Sequence, residues 1–520
     1  MKNQDASGII SRRDFVRSTA AAGLYLMAAP YVSLGAISPD KPSTRVLGRT
    51  GFEVTTLGLG GQASIQWTPP GENPEQIILK ALSLGITYFD TSNVYGPSQL
   101  NYGKAFRAAH LIPGNPGYDE KKRRSFFLAS KTGLRYAKGR PGTQGKVTSA
   151  TNGPPGSMTL DDVRRSLSQI FGDGQGNYPP GAYLDLVQIH NLVNLDGVDA
   201  IYEGLANPDP KAEWIGALAA LRDYRDGTNL TGLNPKEEKL IRHIGITGHF
   251  SSPVLMECIQ RDTGNNIIDT LLVAMNANDR RYFNHQYNVI PVAAAKNMGI
   301  IAMKVFADGA MYGKDNHFSR QAADVVRSVG SPAIPSAPLV RYSLSTPGIS
   351  TAIIGIGHID KDRKLDQLEQ NLTASRLSGQ MDDSERRQIE QLATRAKKGM
   401  TNYFQREAEV LSAPRNAAVS QGMQVDQRVA RLTWQTAYAG DQPLSHYEIQ
   451  RDEFRRADFG SPPHLNTVVG RVEHRPQTTL EPFTFNDPLK DKLPHRYRVI
   501  AVDATGRRAD SQDLLLPAAG

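Results

Sequence analysis

Short apolar runs alternate with amphipathic stretches from Thr44 to about Leu392. Unbroken apolar runs separated by helices are typical of parallel strands, because both faces of such strands are covered. The runs number eight: TTLGLGG, ITYFDTS, SFFLASKTG, YLDLVQIHN, IRHIGITGH, IDTLLVAMNA, GIIAMKVFA and STAIIGIG. Eight such units predict an α/β fold, the closed (β/α)8 or TIM barrel.

Helical spacing of apolar residues is clearest in three stretches between the runs: NPEQIILKALSLG, LDDVRRSLSQIF and RQAADVVRSVG. Thr159 directly precedes the second stretch and is the expected N-cap of its helix. Ahead of the first run, TRVLGRTGFEV predicts a hairpin that turns at Arg49–Gly51 and closes the floor of the barrel.

After about Ser412 the apolar residues alternate with period two, as in LSHYEIQRDE and HRYRVIAVDATGRRAD. Short alternating strands predict a small antiparallel all-β sandwich after the barrel. The placement of Pro414, Trp434, Tyr447 and Tyr497 resembles a fibronectin type III domain, in which Trp434 and Tyr497 would be core and corner residues. An irregular β-domain is the alternative.

The first forty residues have a basic flank, a mild apolar stretch and small residues, which is the pattern of a secretory signal. The pair Arg12-Arg13 resembles the twin-arginine export motif. A membrane helix is the alternative, but Pro30 and Arg17 leave the stretch short of the ~20 apolar residues of a span. We therefore expect a twin-arginine signal at 1–36, export machinery as a partner and a periplasmic location.

These boundaries place the barrel at 44–400 and the sandwich at 412–517. The 520 residues carry a formal charge of +8, without a basic run that would predict a nucleic-acid groove. Cys258 is the only cysteine, which excludes an intramolecular disulfide and a four-cysteine metal site. Its helical apolar context predicts a packed core thiol. We expect no metal and no stable membrane span.

Chemically versatile residues end several of the eight runs: Asp90, Lys131, His190, Thr247, Asn276 and Lys304. In a (β/α)8 barrel the carboxyl ends of the strands form the active-site face. Long inserts at 135–157 and 192–214 follow the third and fourth runs, and loops of that length are usually functional or disordered. We expect these two inserts to shape a substrate site.

Four side chains fall in three segments: Asp90 and Tyr95 in YFDTSNVYG, Lys131 in FLASKTG, and His190 in LVQIHN. Together with LGRTGFEVTTLGLGG and IGITGH, they resemble the aldo/keto reductase family over Thr44–Leu392. The resemblance implies a nicotinamide-dependent oxidoreductase that reduces a carbonyl or oxidises an alcohol. A sugar or polyol is the expected substrate class, because sandwich domains of this kind are common beside polysaccharide-handling modules.

The chemistry of these side chains agrees with that role. A free tyrosine has a pKa of ~10, and a nearby ammonium favours the phenolate. Lys131 would lower the pKa of Tyr95 so that the phenol becomes a proton donor, and Asp90 would hold Lys131 charged. His190 would donate to the substrate oxygen. Taken singly, His190 could be structural and Asp90–Lys131 a plain buried ion pair.

The resemblance also implies a cofactor site: Gly60, Gly61, Thr247, His249, Asn276, Met303, Lys304, Gly355, Gly357, Lys364 and Asn371. Gly355 and Gly357 would let the backbone approach a pyrophosphate, and Asn371 matches an adenine-binding asparagine. The chain departs from the common pattern in TGH on the fifth run, in MK on the seventh and at Leu272, which resembles a variant subgroup.

Lys361, Arg363 and Lys364 favour NADP(H) over NAD(H) because they could meet a 2′-phosphate, although they could equally form a solvated helix start. Because free NADPH should be scarce outside the cytoplasm, we expect a tightly held cofactor, or turnover by paired oxidation and reduction of two substrates. Two other hypotheses stay open. The barrel could be a non-enzymatic binding protein, or the sandwich could be the functional part through contacts with glycan or protein.

Overall fold

The computed structural model describes residues 42–139, 147, 150–264, 266–282, 284–379, 381–396, 411–452 and 467–519. The predicted signal at 1–36 and the predicted end of the barrel at residue 400 lie outside these ranges. Among the helices within them, none is long and apolar enough to cross a bilayer.

Eight parallel strands form a closed barrel, which confirms the prediction. In chain order they are Leu57–Gly60, Tyr88–Asp90, Phe127–Thr132, Leu184–Ile189, Ile241–Gly248, Thr270–Ala274, Gly299–Met303 and Ile349–Gly355. The first seven each lie within one of the eight apolar runs, and the eighth begins one residue before the run STAIIGIG. We refer to them as the first to the eighth barrel strand.

Helices follow the barrel strands: Pro74–Ser83, Ser98–Ala108, Glu120–Arg123, Thr159–Phe171, Leu195–Tyr202, Ala217–Asp226, Ser252–Arg261, Val289–Ala295, Ser336–Leu344, Gln367–Arg376 and Asp383–Ala396. Shorter 3-10 turns are Gly48–Thr50, Ala63–Ile65, Ala307–Tyr312 and Ala322–Asp324. The Asn73 side chain caps the first helix by accepting from the backbone N–H groups of Glu75 and Gln76.

Two helix predictions differ from the structure. Thr159 is the first residue of its helix, and its hydroxyl donates to the carbonyls of Leu134 and Tyr136 instead of capping. The segment RQAADVVRSVG contains only the 3-10 turn Ala322–Asp324 and is otherwise non-helical. Contacts with the barrel override its helical spacing, as described below.

An antiparallel hairpin of Thr44–Val46 and Glu53–Thr55 closes the floor of the barrel, as predicted. Gly51 makes the turn with φ of 70°. Leu47 and Val54 of this hairpin are buried against interior barrel residues such as Phe127. Gly48 lies against Gly299, where an added Cβ would come within 2.3 Å of the Gly299 nitrogen. The barrel is therefore packed shut at its amino end.

The two inserts carry a small antiparallel ribbon of Tyr136–Lys138 and Ile215–Gly216. The helix Leu195–Tyr202 belongs to the second insert. The predicted core thiol is also confirmed, because Cys258 is fully buried in the helix Ser252–Arg261 and burial raises its pKa to about 12.

After the barrel, two antiparallel sheets pack face to face around a second core. One sheet contains Arg415–Gln424, Gln427–Gln435 and Phe483–Leu489; the other contains Leu444–Asp452, Thr467–Glu473, His495–Asp503, Arg508–Asp510 and Leu514–Leu516. Trp434 is fully buried and stacks on Phe483 with a centroid distance of 5.9 Å. The prediction of a β-sandwich after the barrel is confirmed.

The sandwich is fixed to the barrel by hydrogen bonds between barrel side chains and sandwich backbone groups. The buried Asn288 amide donates to the Ala439 carbonyl at 3.0 Å and accepts from the Ala439 N–H at 2.9 Å. Gln260 donates to the Gln477 carbonyl at 2.8 Å, and Tyr438 packs on the barrel core. These contacts give the second domain a defined orientation on the barrel.

Candidate active site

Asp90 and Lys131 form a buried ion pair at the carboxyl ends of the second and third barrel strands. The Lys131 ammonium also donates to the Thr91 carbonyl at 2.9 Å, and Gln188 donates to Asp90 at 3.2 Å. Burial raises the pKa of Asp90 and lowers that of Lys131, while the attraction between the two charges opposes both shifts. The pair is thus held in place from three sides.

Tyr95 and His190 lie next to this pair. The Lys131 ammonium is 4.8 Å from the Tyr95 ring centroid, and the Tyr95 and His190 rings meet edge to face with centroids 5.7 Å apart. The four side chains predicted as catalytic, Asp90, Tyr95, Lys131 and His190, come from three separate segments of the sequence. The structure brings all four together.

The protonation of Tyr95 differs from the expectation. Burial and the negative charges of Asp90 and Asp308 raise the pKa of Tyr95 well above its usual value. The predicted lowering by Lys131 is not found because Asp90 neutralises the ammonium. Burial and the charge of Lys131 hold the pKa of His190 well below its usual value. At neutral pH the site contains a protonated phenol and an uncharged imidazole.

A long cleft starts at these residues and runs to the helix Gln367–Arg376. Its lining includes the predicted Gly60, Gly61, His249, Met303, Lys304, Gly355 and Asn371, together with Asp90 and Tyr95. Asn371 is 3% exposed, and its side-chain oxygen has no hydrogen-bond partner among the described residues. A buried acceptor without a donor indicates that a ligand completes this end of the cleft.

A segment that we call the strap, residues 322–329, crosses this cleft. The Gln367 amide nitrogen donates to the carbonyls of Val326 and Ser328 at 3.1 and 2.6 Å, and its oxygen accepts from the Gly357 N–H at 2.7 Å. Arg327 lies 3.7 Å from Glu72, which also contacts His358 at 2.8 Å. These contacts explain why the strap is not the predicted helix: its carbonyls bond to Gln367.

Three predicted cofactor residues have other positions. A Cβ at position 357 would lie 2.1 Å from the Val326 carbonyl oxygen. Gly357 therefore allows the strap to pack against the backbone at this position. Thr247 is fully buried, and its hydroxyl accepts from the Asn191 N–H at 2.7 Å, beside His190. Lys364 is exposed and lies just before the helix Gln367–Arg376. None of the three lines the cleft.

The seventh strand ends in a strained turn. Lys304 has φ of 58°, a left-handed conformation that L residues rarely adopt. The buried Asn276 amide donates to the Lys304 carbonyl at 3.1 Å and so holds this conformation. Asn276 therefore acts on Lys304 and does not line the cleft.

A second cavity of about 550 Å³ adjoins the first at Tyr95, His249, Lys304 and Gln62. His190 also lines it, and its walls come partly from the two inserts, through Arg135, Ala150 and Val193. The inserts therefore shape a cavity at the reactive end of the cleft, as predicted. Within the described part of the chain, no group of three or more His, Cys, Asp or Glu could hold a metal.

Three residues of the site are not among the sequence predictions: Gln367, Arg135 and Asp308. Gln367 secures the strap, Arg135 donates to the His190 and Asn191 carbonyls at 2.8 and 3.0 Å, and Asp308 lies between two lysines. The pattern of polar and apolar residues does not predict the contacts of Gln367. Arg135 opens an insert directly after a strand end, which is a signal that could have been used.

The chain forms a closed (β/α)8 barrel, and a buried Asp–Lys–Tyr–His cluster lies beside a long cleft at the carboxyl ends of its strands. This arrangement is typical of (β/α)8-barrel enzymes. The sequence profile of the aldo/keto reductase family matches residues 56–394. The chain belongs to the aldo/keto reductase family and is an NAD(P)H-dependent oxidoreductase.

Two curated relatives match most of their own length. L-galactose dehydrogenase of Arabidopsis thaliana is 22% identical over 349 residues, which are 64% of this chain and 88% of that protein. The uncharacterized oxidoreductase YqkF of Bacillus subtilis (strain 168) is 22% identical over 350 residues, 64% of this chain and 90% of that protein.

Two solved structures that contain a nicotinamide cofactor match at lower identity. An aldo-keto reductase from Klebsiella pneumoniae in complex with NADPH is 17% identical, covers 68% of this chain and 95% of its own, and has a TM-score of 0.39. The Bombyx mori aldo-keto reductase in complex with NADP is 14% identical, covers 68% and 93%, and has a TM-score of 0.40.

Proposed function

We propose that the protein transfers a hydride between NADP(H) and a carbonyl or alcohol group, with Asp90, Tyr95, Lys131 and His190 as its catalytic residues. The observation that supports this most directly is the meeting of these side chains at the junction of the cleft and the second cavity. A substrate in the second cavity would face the end of the cleft.

Each side chain has a role that follows from its surroundings. The protonated Tyr95 phenol donates a proton to the carbonyl oxygen in reduction, and the Tyr95 phenolate accepts one from the alcohol in oxidation. The uncharged His190 imidazole donates a hydrogen bond to the same oxygen and stabilises charge that develops there. Lys131 partly offsets the Asp90 charge, which would otherwise raise the pKa of the Tyr95 phenol still further.

The residues of the cleft fit a dinucleotide. When bound, the nicotinamide supplies or receives the hydride. The unpartnered Asn371 oxygen would accept from an exocyclic amine such as that of adenine. Lys361 and Lys364 are exposed at the start of that helix and would meet a 2′-phosphate, which supports NADP(H). Gln367 ties the strap over the cleft, which supports a tightly held cofactor.

Three further proposals come from the sequence. The Arg12-Arg13 pair supports export to the periplasm by the twin-arginine route. The appended sandwich, which resembles fibronectin type III, would contact glycan or protein. A sugar or polyol is the proposed substrate class, by association with such modules alone.

Mass spectrometry of the native purified protein, followed by activity assays over a panel of carbonyls and alcohols, tests the central proposal. We expect retained NADP(H) and oxidation or reduction of at least one panel member. Retained cofactor without turnover of any member would favour a binding protein. Absence of both bound and titratable cofactor would contradict the proposal.

A further inference from the structure

The second cavity has an unusual charge. Of the described residues that line it, none is acidic, whereas Lys304 and Arg135 are basic. The two histidines in its wall, His190 and His249, have pKa values well below the usual value because they are buried. The wall is therefore positive with no acidic residue of its own, and a buried positive charge calls for an anion.

Lys304 is the cation that faces this space. Its side chain is 8% exposed and lines both the cavity and the cleft. Its ammonium lies 3.4 Å from Gln62 Oε1, 3.7 Å from Asp308 Oδ1 and 4.6 Å from the Phe318 ring centroid. A charge-assisted N–H···O bond is ~2.7–2.9 Å long, so these contacts leave Lys304 weakly paired.

Asp308 does not neutralise Lys304 because it is shared. Lys314 lies 2.9 Å from the Asp308 carboxylate and also donates to Ser319 Oγ and the His317 carbonyl at 2.7 and 3.0 Å. Two lysines and one aspartate leave this group with one net positive charge. Lys314 is saturated by protein groups and lines neither cavity, so the unbalanced charge lies at Lys304.

Arg135 also lines the second cavity. Its Nη2 donates to the His190 and Asn191 carbonyls, whereas its Nε and Nη1 are buried without a hydrogen-bond partner among the described residues. Arg135 thus positions His190 and adds positive charge to the wall, but Lys304, unlike Arg135, lines both the cavity and the cleft.

We propose that Lys304 binds a carboxylate of the substrate, so that the enzyme acts on carbonyl compounds or alcohols that carry an acid group, sugar acids among them. This inference rests on the proposed function, because it locates the reacting carbonyl at Tyr95. Tyr95 and Lys304 both line the junction of the two cavities, so one small molecule can contact both.

Matched substrate pairs test the proposal: glucuronate against glucose, and succinic semialdehyde against its amide. The holoenzyme should prefer the acid of each pair. Lys304→Met should abolish that preference by lowering kcat/KM for each acid roughly 10- to 100-fold more than for its neutral partner, the value of a hydrogen bond to a charged group. Lys304→Arg should retain the preference, and Asp308→Asn should increase it. The exposed Lys236→Met controls for net charge.

Cofactor affinity, measured by fluorescence titration with NADPH, separates the possible anions. If Lys304→Met weakens NADPH binding and lowers acid and neutral turnover equally, Lys304 binds a cofactor phosphate and the inference is overturned. Preference for the neutral members would also overturn it while leaving the proposed function intact. Failure of every substrate and of cofactor binding would remove the proposed function itself.

Discussion

The Lys131 ammonium lies over the face of the Tyr95 ring, 4.8 Å from its centroid, while it is paired with Asp90. A cation over an aromatic face is attracted by the ring quadrupole. The lysine therefore both orients the ring and cancels the carboxylate behind it.

We expect Tyr95→Phe, which keeps the ring, to lower turnover by roughly 10²–10⁴-fold while cofactor binding survives. Lys131→Met leaves the Asp90 charge uncompensated, raises the pKa of Tyr95 further and should be similarly damaging. The two losses should not add in the double variant, because both act on one proton transfer. Single-turnover nicotinamide absorbance measures this, and multiplicative losses would mean that the residues act independently.

The pH dependence should differ between the two directions. Because the pKa of Tyr95 is raised above its usual ~10, the phenol stays protonated through neutral pH. Reduction should then be flat from about pH 7 to 9, whereas oxidation, which needs the phenolate, should rise about tenfold per pH unit. The lowered pKa of His190 predicts no break near 6.5. A reduction profile with an inflection near pH 7 would contradict these assignments.

The strap should control cofactor release. Gln367→Ala removes the donor to Val326 and Ser328 and the acceptor of Gly357. We expect the cofactor dissociation rate, measured by stopped-flow displacement, to rise roughly 10-fold or more, as for the loss of hydrogen bonds worth ~1 kcal/mol each. Gln370→Ala is the matched control. Gln370 lies on the same helix as Gln367, but its side chain donates to the Arg363 carbonyl. Equal release rates in both variants would show that the strap does not retain the cofactor.

The joint between the domains should depend on Asn288. Asn288→Ala leaves the N–H and carbonyl of Ala439 without their partner, and we expect about 1–3 kcal/mol less stability on urea unfolding. Cofactor affinity should not change, because Asn288 lies outside the cleft lining. The exposed Asn115→Ala serves as control. A chain ending near Leu411 should bind cofactor but unfold more easily, since Tyr438 no longer covers the barrel core.

Export should depend on Arg12 and Arg13. Replacing both with lysine preserves the charge but removes the paired guanidinium groups, and it should leave unprocessed protein in the cytoplasm on fractionation. Replacing Arg17 alone with lysine is the control. Normal export of the double variant would contradict the twin-arginine proposal.

The strands and the four clustered side chains could be predicted because each depends on local sequence. An unbroken apolar run predicts a buried strand, and the polar residue that ends it must lie at the carboxyl rim once the barrel closes. Asp90, Lys131 and His190 therefore meet although 40 or more residues separate each from the next. Asn371 was predicted from the family resemblance alone. The structure adds that its side-chain oxygen is a buried acceptor without a hydrogen-bond donor among the described residues.

The remaining features depend on contacts between distant segments. The strap has helical spacing but bonds to Gln367, 39 to 41 residues away, so tertiary contacts override its local preference. Gly357 was predicted to contact a phosphate, but its missing side chain leaves room for the Val326 carbonyl of the strap. The raised pKa of Tyr95 could not be foreseen because it depends on burial and on the charges of Asp90 and Asp308, and the sequence does not show how these groups surround the phenol.

The division of labour around the second cavity has a consequence for how the enzyme can evolve. The hydride side is built from strand ends and a strained turn at Lys304, where few side chains are tolerated. Part of the opposite wall belongs to the two inserts, and a short ribbon pairs the first insert with the residues that follow the second. Mutations, insertions and recombination in these inserts can change which molecules fit while the proton-transfer cluster stays untouched. Selection can thus diversify the substrate range of this barrel without rebuilding its chemistry.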